Sequence, residues 1–112
     1  KPENIMIQSD YTIKLIDFGM CRKRSDVCRG LWGSLEYAPP EMHGGGVYDA
    51  EKAEMWSLGV VLFTMVHRRL PMDPVIISAP PGNMFQNIIS ALMVNDPNMR
   101  PSCAELKARF AL

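Results

Sequence analysis

Residues 12–19 read Thr-Ile-Lys-Leu-Ile-Asp-Phe-Gly, a short apolar run that ends in the triplet Asp17-Phe18-Gly19. Taken alone, such a triplet favours a turn after a strand, because Asp and Gly suit turns and Phe fills a gap. A second β-branched run, residues 5–7, lies just upstream, and residues 8–11 between the two runs have the composition of a turn. The pattern predicts a β-hairpin of residues 5–7 with residues 12–16, the only convincing strand signal in the chain. A hairpin of this size must rest on a larger body.

That body is predicted to be helical. Asp49 is a plausible N-cap for a helix that runs to about residue 67. Residues 55–66 are apolar on every side, so this helix should be buried all round and form the centre of the domain.

Two shorter helices follow. Apolar side chains recur at helical spacing on one face at positions 84, 85, 88, 89, 92 and 93. Ser102 and Glu105 have the spacing of a capping box, and the last helix should turn Leu106 and Phe110 inward. The predicted fold class is therefore mainly α with one β-hairpin.

The connections are of three kinds. Residues 20–38 show no periodicity and are expected to form a long loop, which in a compact domain is usually functional or mobile. Pro39-Pro40 should start a short helical turn that carries Glu41 and ends at Gly44-Gly45-Gly46. Proline-rich residues 71–82 should form an irregular connection.

Composition narrows the function classes. The chain has 112 residues, 47% of them apolar, which suits one small domain with a core. Twelve basic residues balance twelve acidic ones, so we expect no nucleic-acid or membrane-surface partner. The longest apolar stretch, Leu58–Val66, is too short to cross a bilayer. The three cysteines lack metal-site spacing, so free thiols in an intracellular, cytoplasmic protein are expected. The chain opens without Met, which is typical of a fragment.

Five short motifs in a fixed order are the most specific signal. They are Lys1-Pro2-Glu3-Asn4, Asp17-Phe18-Gly19, Gly33–Glu41, Trp56-Ser57-Leu58-Gly59 and Asp96–Pro101. Their order and spacing resemble the C-terminal lobe of a eukaryotic protein kinase. In that family the motifs are the end of the catalytic loop, the two ends of the activation segment, the central helix and the loop before the final helix.

The resemblance implies the domain layout. Residues 1–112 would be a partial kinase domain, with an activation segment over 17–41, a central helix over about 50–67 and terminal helices over about 83–112, and with the N-lobe absent. Lys1 and Glu3 have the form typical of serine/threonine kinases. The residues of the later motifs are similar to those of the calcium/calmodulin-dependent kinase group. Within that group they are most similar to those of the AMP-activated, microtubule-affinity-regulating and testis-specific serine kinases.

The resemblance also implies a site for ATP and Mg²⁺. Asp17 and Asn4 would bind the metal ions that carry the nucleotide, and hard oxygen ligands suit magnesium. Lys1 would place its ammonium against the γ-phosphate, where a compact point charge is useful. Ser34 would bridge the catalytic Asp and Lys1, and shape the site for the Ser/Thr hydroxyl of a protein substrate. The alternatives are a solvated loop for Lys1 and Asn4 and a plain turn residue for Ser34.

Three other residues carry hypotheses. Glu41 and Arg100 resemble the buried ion pair that anchors the activation segment, the alternative being two unrelated surface charges. Ser25 has Arg22 three residues before it, so a phosphate there could order the loop. A solvated basic loop is the favoured interpretation of that stretch.

The sequence also departs from the family. The catalytic Asp, glycine-rich loop, strand lysine and helix glutamate of a kinase are not among these residues. Pro39 replaces the usual Ala, Glu54 the usual Asp, and Gly30 the activating Thr. We therefore expect no phosphotransfer by this chain alone. Without its usual neighbouring helix, the apolar central helix should also expose a patch that invites association.

Three functions remain open. The first is a fragment of a serine/threonine kinase that phosphorylates protein hydroxyls. The second is a catalytically dead, pseudokinase-like or truncated C-lobe that binds an upstream kinase or a scaffold partner. The third is a small helical domain that merely contains similar motifs.

Overall fold

The computed structural model describes residues 1–71 and 83–112. The strands are β1 (Ile5–Ile7), β2 (Ile13–Leu15), β3 (Cys28–Arg29) and β4 (Val47–Tyr48). The α-helices are α1 (Pro40–His43), α2 (Ala50–His67), α3 (Met84–Leu92) and α4 (Cys103–Phe110), and single 3₁₀ turns cover Pro2–Asn4, Leu35–Tyr37 and Pro97–Met99. The irregular connection predicted over residues 71–82 lies almost wholly outside the described residues. None of the described helices is both long and apolar enough to cross a membrane.

The predicted hairpin is confirmed. β1 and β2 pair antiparallel, with Ile5 opposite Leu15 and Ile7 opposite Ile13. The turn is closed by the Tyr11 N–H, which donates to the Gln8 carbonyl at 2.9 Å. Tyr11 has a left-handed φ of 65°. The apolar side chains of β2 are exposed, so the hairpin is held mainly by its backbone ladder.

A second small sheet corrects the sequence prediction. β3, inside the supposed loop, pairs antiparallel with β4, placing Cys28 opposite Tyr48 and Arg29 opposite Val47. Cys28 is buried at this junction. Two-residue strands carry no alternation that a periodicity search could detect. The hairpin is thus not the only strand pair, and residues 20–38 are partly ordered by contact with the rest of the fold.

Helix α2 is the central element, as predicted. The Asp49 carboxylate caps it by accepting from the N–H groups of Glu51 (2.8 Å) and Lys52 (3.2 Å). The helix ends at Arg68, whose left-handed φ of 55° stops its continuation. One core cluster joins α2 to α3, and its buried members are Trp56, Val60, Phe63, Ile89 and Met93.

The expectation that α2 is buried all round is wrong. Met65 is 70% exposed, and Leu58 and Val66 are 40% and 42% exposed. These three side chains lie on faces of α2 that no described element covers fully. Hydropathy reports how apolar each face is, but it does not report which faces meet another element.

Helices α3 and α4 complete the body. The buried residues Ile88, Ile89 and Leu92 of α3 face the core as predicted. Met84 and Phe85, in the first turn, are about half exposed and lie off that face, which corrects their assignment to it. The capping box of α4 is confirmed: the Glu105 N–H donates to Ser102 Oγ, and the Ser102 N–H donates to Glu105 Oε2. Leu106 is buried and Phe110 packs partly against the same cluster.

Candidate functional site

The first four residues form one wall of the site. The 3₁₀ turn at Pro2–Asn4 is closed by the Asn4 N–H, which donates to the Lys1 carbonyl at 3.0 Å. Pro at the first position suits such a turn, because its fixed φ is already helical. The Ile16 N–H then donates to the Asn4 carbonyl at 3.0 Å. That bond places Asn4 beside the end of the hairpin, next to Asp17.

Lys1 and Ser34 make a polar contact between the two ends of the site. Lys1 Nζ donates to Ser34 Oγ at 2.9 Å across 33 residues of chain. Ser34 is half-buried and Lys1 is exposed. An ammonium has three N–H donors, so Lys1 keeps two of them for another acceptor such as a phosphate oxygen.

Asp17 follows the hairpin in an uncommon conformation. Its φ is 63°, in the left-handed region that an L-residue other than Asn or Asp rarely adopts. The carboxylate is exposed, and Oδ1 accepts from the Gly19 N–H at a long 3.4 Å. Among the described residues no hydrogen bond joins this carboxylate to Lys1, Asn4 or Ser34. The oxygens of Asp17 thus keep most of their capacity to accept.

The chemistry of Asn4 and Asp17 fits a magnesium ion bound together with a nucleotide. Magnesium favours oxygen ligands and is usually held by one or two carboxylates plus substrate phosphates, with water completing the shell. A carboxylate and an amide oxygen are ligands of that kind, and the backbone bond from Ile16 to Asn4 keeps the two residues on neighbouring stretches of chain. Within residues 1–71 and 83–112 no cluster of three or more acidic, His or Cys side chains forms a self-sufficient metal cage.

Two arginines in the middle of the segment between Asp17 and Ser34 contact other side chains. The Arg22 guanidinium carbon lies 4.8 Å from the centre of the Trp32 ring. Arg24 pairs with Glu51 of α2 at 2.6 Å. The tip itself is a turn in which the Asp26 N–H donates to the Lys23 carbonyl at 2.9 Å. Sequence reasoning missed both arginine contacts, because nothing in spacing links Arg22 to Trp32 or Arg24 to α2.

Ser25 lies exposed within this turn. The two arginines nearest to it in sequence, Arg22 and Arg24, already have partners. A phosphate on Ser25 would therefore compete with Glu51 for Arg24 instead of ordering a free loop. Modification of Ser25 remains an untested prediction.

The end of the segment is fastened to α2. Ser57 Oγ donates to the Tyr37 carbonyl at 2.8 Å. Burial raises the pKa of the Tyr37 phenol, and the carboxylates of Glu3 and Glu36 raise it further. The phenol therefore stays neutral near pH 7 beside the residues of the first wall. The sequence signal for Ser57 was its place in the Trp56–Gly59 motif, but its role as an anchor was not predicted.

The predicted ion pair of Glu41 and Arg100 is confirmed. Arg100 binds the Glu41 carboxylate through two N–H···O contacts of 2.8 Å each. Arg100 is 1% exposed, and the Glu41 side chain is 15% exposed. The remaining N–H groups of Arg100 donate to the carbonyls of Val94 (2.9 Å), Lys52 (2.6 Å) and Asn95 (3.3 Å). All five donors of the guanidinium are thus satisfied.

Comparison with known proteins agrees with this geometry. The family model described as the protein kinase domain matches residues 1–110. The chain belongs to the protein kinase domain family. It is 32% identical to sperm motility kinase 3A of Mus musculus, over 95% of this chain and 24% of the relative. It is also 32% identical to the carbon catabolite-derepressing protein kinase of Saccharomyces cerevisiae (100% of this chain, 17% of the relative) and to an SNF1-like protein kinase of Schizosaccharomyces pombe (98% and 19%).

The chain spans a quarter or less of the length of the relatives it matches, from 15% to 25%. The comparison therefore concerns only the region of each relative that aligns with this chain. Lys1, Asn4, Asp17 and Ser34 all lie inside residues 1–110.

The structure describes all three residues that depart from the kinase pattern. Gly30 has a left-handed φ of 73°, and a Cβ built there would meet nothing within 4 Å. Glu54 is exposed, and its side chain makes no hydrogen bond to any other described residue. In the region described, the Glu54 side chain therefore makes no hydrogen bond to residues 1–4, the part of the family's catalytic loop that this chain resembles. Pro39 is fully buried ahead of α1.

Proposed function

We propose that this chain is the C-lobe part of a serine/threonine protein kinase, which transfers the γ-phosphate of ATP to Ser/Thr hydroxyls of protein substrates. The observation that carries the proposal is the 2.9 Å contact of Lys1 Nζ with Ser34 Oγ. It joins the two residues to which the family resemblance assigns the γ-phosphate and the substrate hydroxyl. A plain turn residue and a solvated lysine give no reason for such a contact.

The residues present divide the work of phosphoryl transfer, which consists of positioning and neutralising charge. Magnesium, when bound with ATP, would offset charge on the phosphates, and Asp17 and Asn4 would hold it. Lys1 would direct its two remaining N–H donors at the γ-phosphate. Ser34, fixed by Lys1, would face the incoming hydroxyl and favour Ser/Thr over the longer Tyr.

A chimera tests the proposal. Residues 1–112 would replace the matching stretch of the Saccharomyces cerevisiae kinase, which aligns with the whole of this chain. The host would supply the N-lobe and the catalytic Asp. Transfer of labelled phosphate to a Ser-containing peptide should be measurable, and Ser34→Ala should lower kcat/KM by about tenfold or more, since it removes a positioned hydroxyl.

The matched control is Ser25→Ala, an exposed serine of the same segment that makes no hydrogen bond to another described side chain. It should leave the rate within about twofold, because surface changes of this kind are nearly neutral. Equal rates for Ser34→Ala and Ser25→Ala would contradict the assigned role of Ser34.

A second function, a catalytically dead C-lobe that binds an upstream kinase or a scaffold, is favoured by one observation. Glu54 stands where the family has an Asp that accepts from the catalytic-loop backbone, and its exposed side chain makes no hydrogen bond to residues 1–4. A chimera that folds and binds ATP but transfers no phosphate would favour this alternative. Glu54→Asp would then be the variant to restore transfer.

A further inference from the structure

Trp32 makes two contacts that lock the path of the chain just before Ser34. Its Nε1–H donates to the Arg29 carbonyl at 2.6 Å. The Arg22 guanidinium carbon lies 4.8 Å from the centre of its ring, within the range of a cation–π interaction. The indole is 50% exposed, so these contacts and not core burial hold it in place.

The backbone around Trp32 would otherwise be loosely specified. Gly30 and Gly33 flank it with left-handed φ values of 73° and 86°. Glycine adopts such φ values at no steric cost, but it also has the widest choice of other conformations. A side chain between two glycines that is held through one ring face and through its N–H edge removes much of that choice.

The carbonyl that receives the indole N–H is itself fixed. Arg29 belongs to β3 and pairs with Val47 of β4. On the far side of Ser34, the Tyr37 carbonyl is held by Ser57 of α2. Ser34 therefore lies between a tryptophan latched to the small sheet and a carbonyl bonded to the central helix.

We propose that Trp32 is a positioning residue, which holds the turn from Gly30 to Gly33 so that the Ser34 hydroxyl meets the Lys1 ammonium. The proposal rests on the proposed function for the meaning of the Lys1–Ser34 pair. It goes beyond that function by assigning the order of the segment to an internal latch of Arg22, Trp32 and Arg29. Gly30 has no hydroxyl to carry a phosphate, so this latch fixes the segment without one.

Amide hydrogen exchange of the 112-residue chain, measured without nucleotide, tests the latch. Trp32→Ala should speed exchange about tenfold at Tyr37 and Ala38, whose N–H groups donate to the Ser34 and Leu35 carbonyls, because it removes one cation–π contact and one hydrogen bond that oppose local opening. Trp32→Phe keeps a ring over Arg22 but loses the N–H donor, so it should give a smaller acceleration. Exchange within α2 should stay unchanged in both variants.

Phe85→Ala is the matched control, since Phe85 is also 50% exposed and aromatic but lies on α3. It should leave exchange at the amides of Tyr37 and Ala38 unaffected. The proposal is overturned if Trp32→Ala leaves these amides within about twofold of the parent, or if it speeds exchange equally throughout α2, which would show global loss of stability. Because no nucleotide is present, a failed latch and a failed kinase assignment give separate results.

Discussion

Replacing Arg100 with Ala should destabilise the chain severely. The guanidinium is 1% exposed and donates twice to Glu41 and once to each of the carbonyls of Val94, Lys52 and Asn95. Truncation leaves a largely buried carboxylate and three carbonyls without their donor. Breaking a buried pair by removing one partner costs on the order of 3–5 kcal/mol, which is a large share of the stability of a small domain.

Urea unfolding followed by circular dichroism measures this loss. For a domain of this size the expected change corresponds to a fall in Tm of about 10 °C or more. Glu41→Gln keeps the side-chain shape but removes the charge, so it should cost less, about 1–3 kcal/mol. If Arg100→Ala fails to fold, the free energy of unfolding of Glu41→Gln still measures the loss of the ion pair.

The control is Arg109→Ala, an exposed arginine of α4. It should change the free energy of unfolding by no more than about 0.5 kcal/mol. The reasoning is refuted if Arg100→Ala unfolds within about 1 kcal/mol of the parent at an unchanged m-value, or if Arg109→Ala costs as much as Arg100→Ala.

Two further predictions concern packing and pH. Gly59→Ala should lower the free energy of unfolding by about 1 kcal/mol, because the added Cβ would lie 2.7 Å from Met93 Cγ and 2.9 Å from Leu92 Cβ. This overpacking outweighs the better helix propensity of Ala. A higher urea midpoint for the variant would show that α2 and α3 can separate freely. Hydrogen bonds from the Ser102 backbone and side chain lower the pKa of the Glu105 carboxyl. Its contribution to stability should therefore be complete above about pH 4.3 and be lost as the pH falls through the lowered value. Glu105→Gln should remove that part of the acid dependence, and identical pH profiles for parent and variant would contradict the role of the capping box.

The elements that sequence predicted well are those with local signals. Asp49 and the Ser102–Glu105 capping box predict where two helices begin, because each N-cap bonds to residues only two or three positions away. Both caps are present in the structure. The hairpin has alternating β-branched runs around a turn, and it is also present. Such signals need no knowledge of the rest of the fold.

The elements that sequence missed depend on distant partners. β3 is two residues long and exists because Cys28 and Arg29 meet β4 about twenty residues later. Met65 on α2 belongs to an all-apolar helix but is exposed, since periodicity cannot say which face meets another element.

The candidate site could be predicted only through family resemblance. Lys1 and Ser34 are 33 residues apart, and Glu41 and Arg100 are 59 apart, so no spacing rule joins either pair. The resemblance suggested both pairs, and the geometry brings each together. The Trp32 contacts had no counterpart in the motifs, so they emerged from the structure alone.

Phosphate transfer by the chimera with the Saccharomyces cerevisiae kinase, measured for Asp17→Asn beside Asp10→Asn, tests the central claim most directly. Both aspartates are exposed and flank β2, but only Asp17 is assigned to magnesium-ATP, while Asp10 caps the Thr12 N–H in the hairpin turn. The account predicts that Asp17→Asn lowers kcat by about a hundredfold or more, since it removes a charge that stabilises the transition state, and that Asp10→Asn changes kcat by no more than about twofold. Similar rates for the two variants would contradict the claim that Asp17 belongs to a phosphoryl-transfer site.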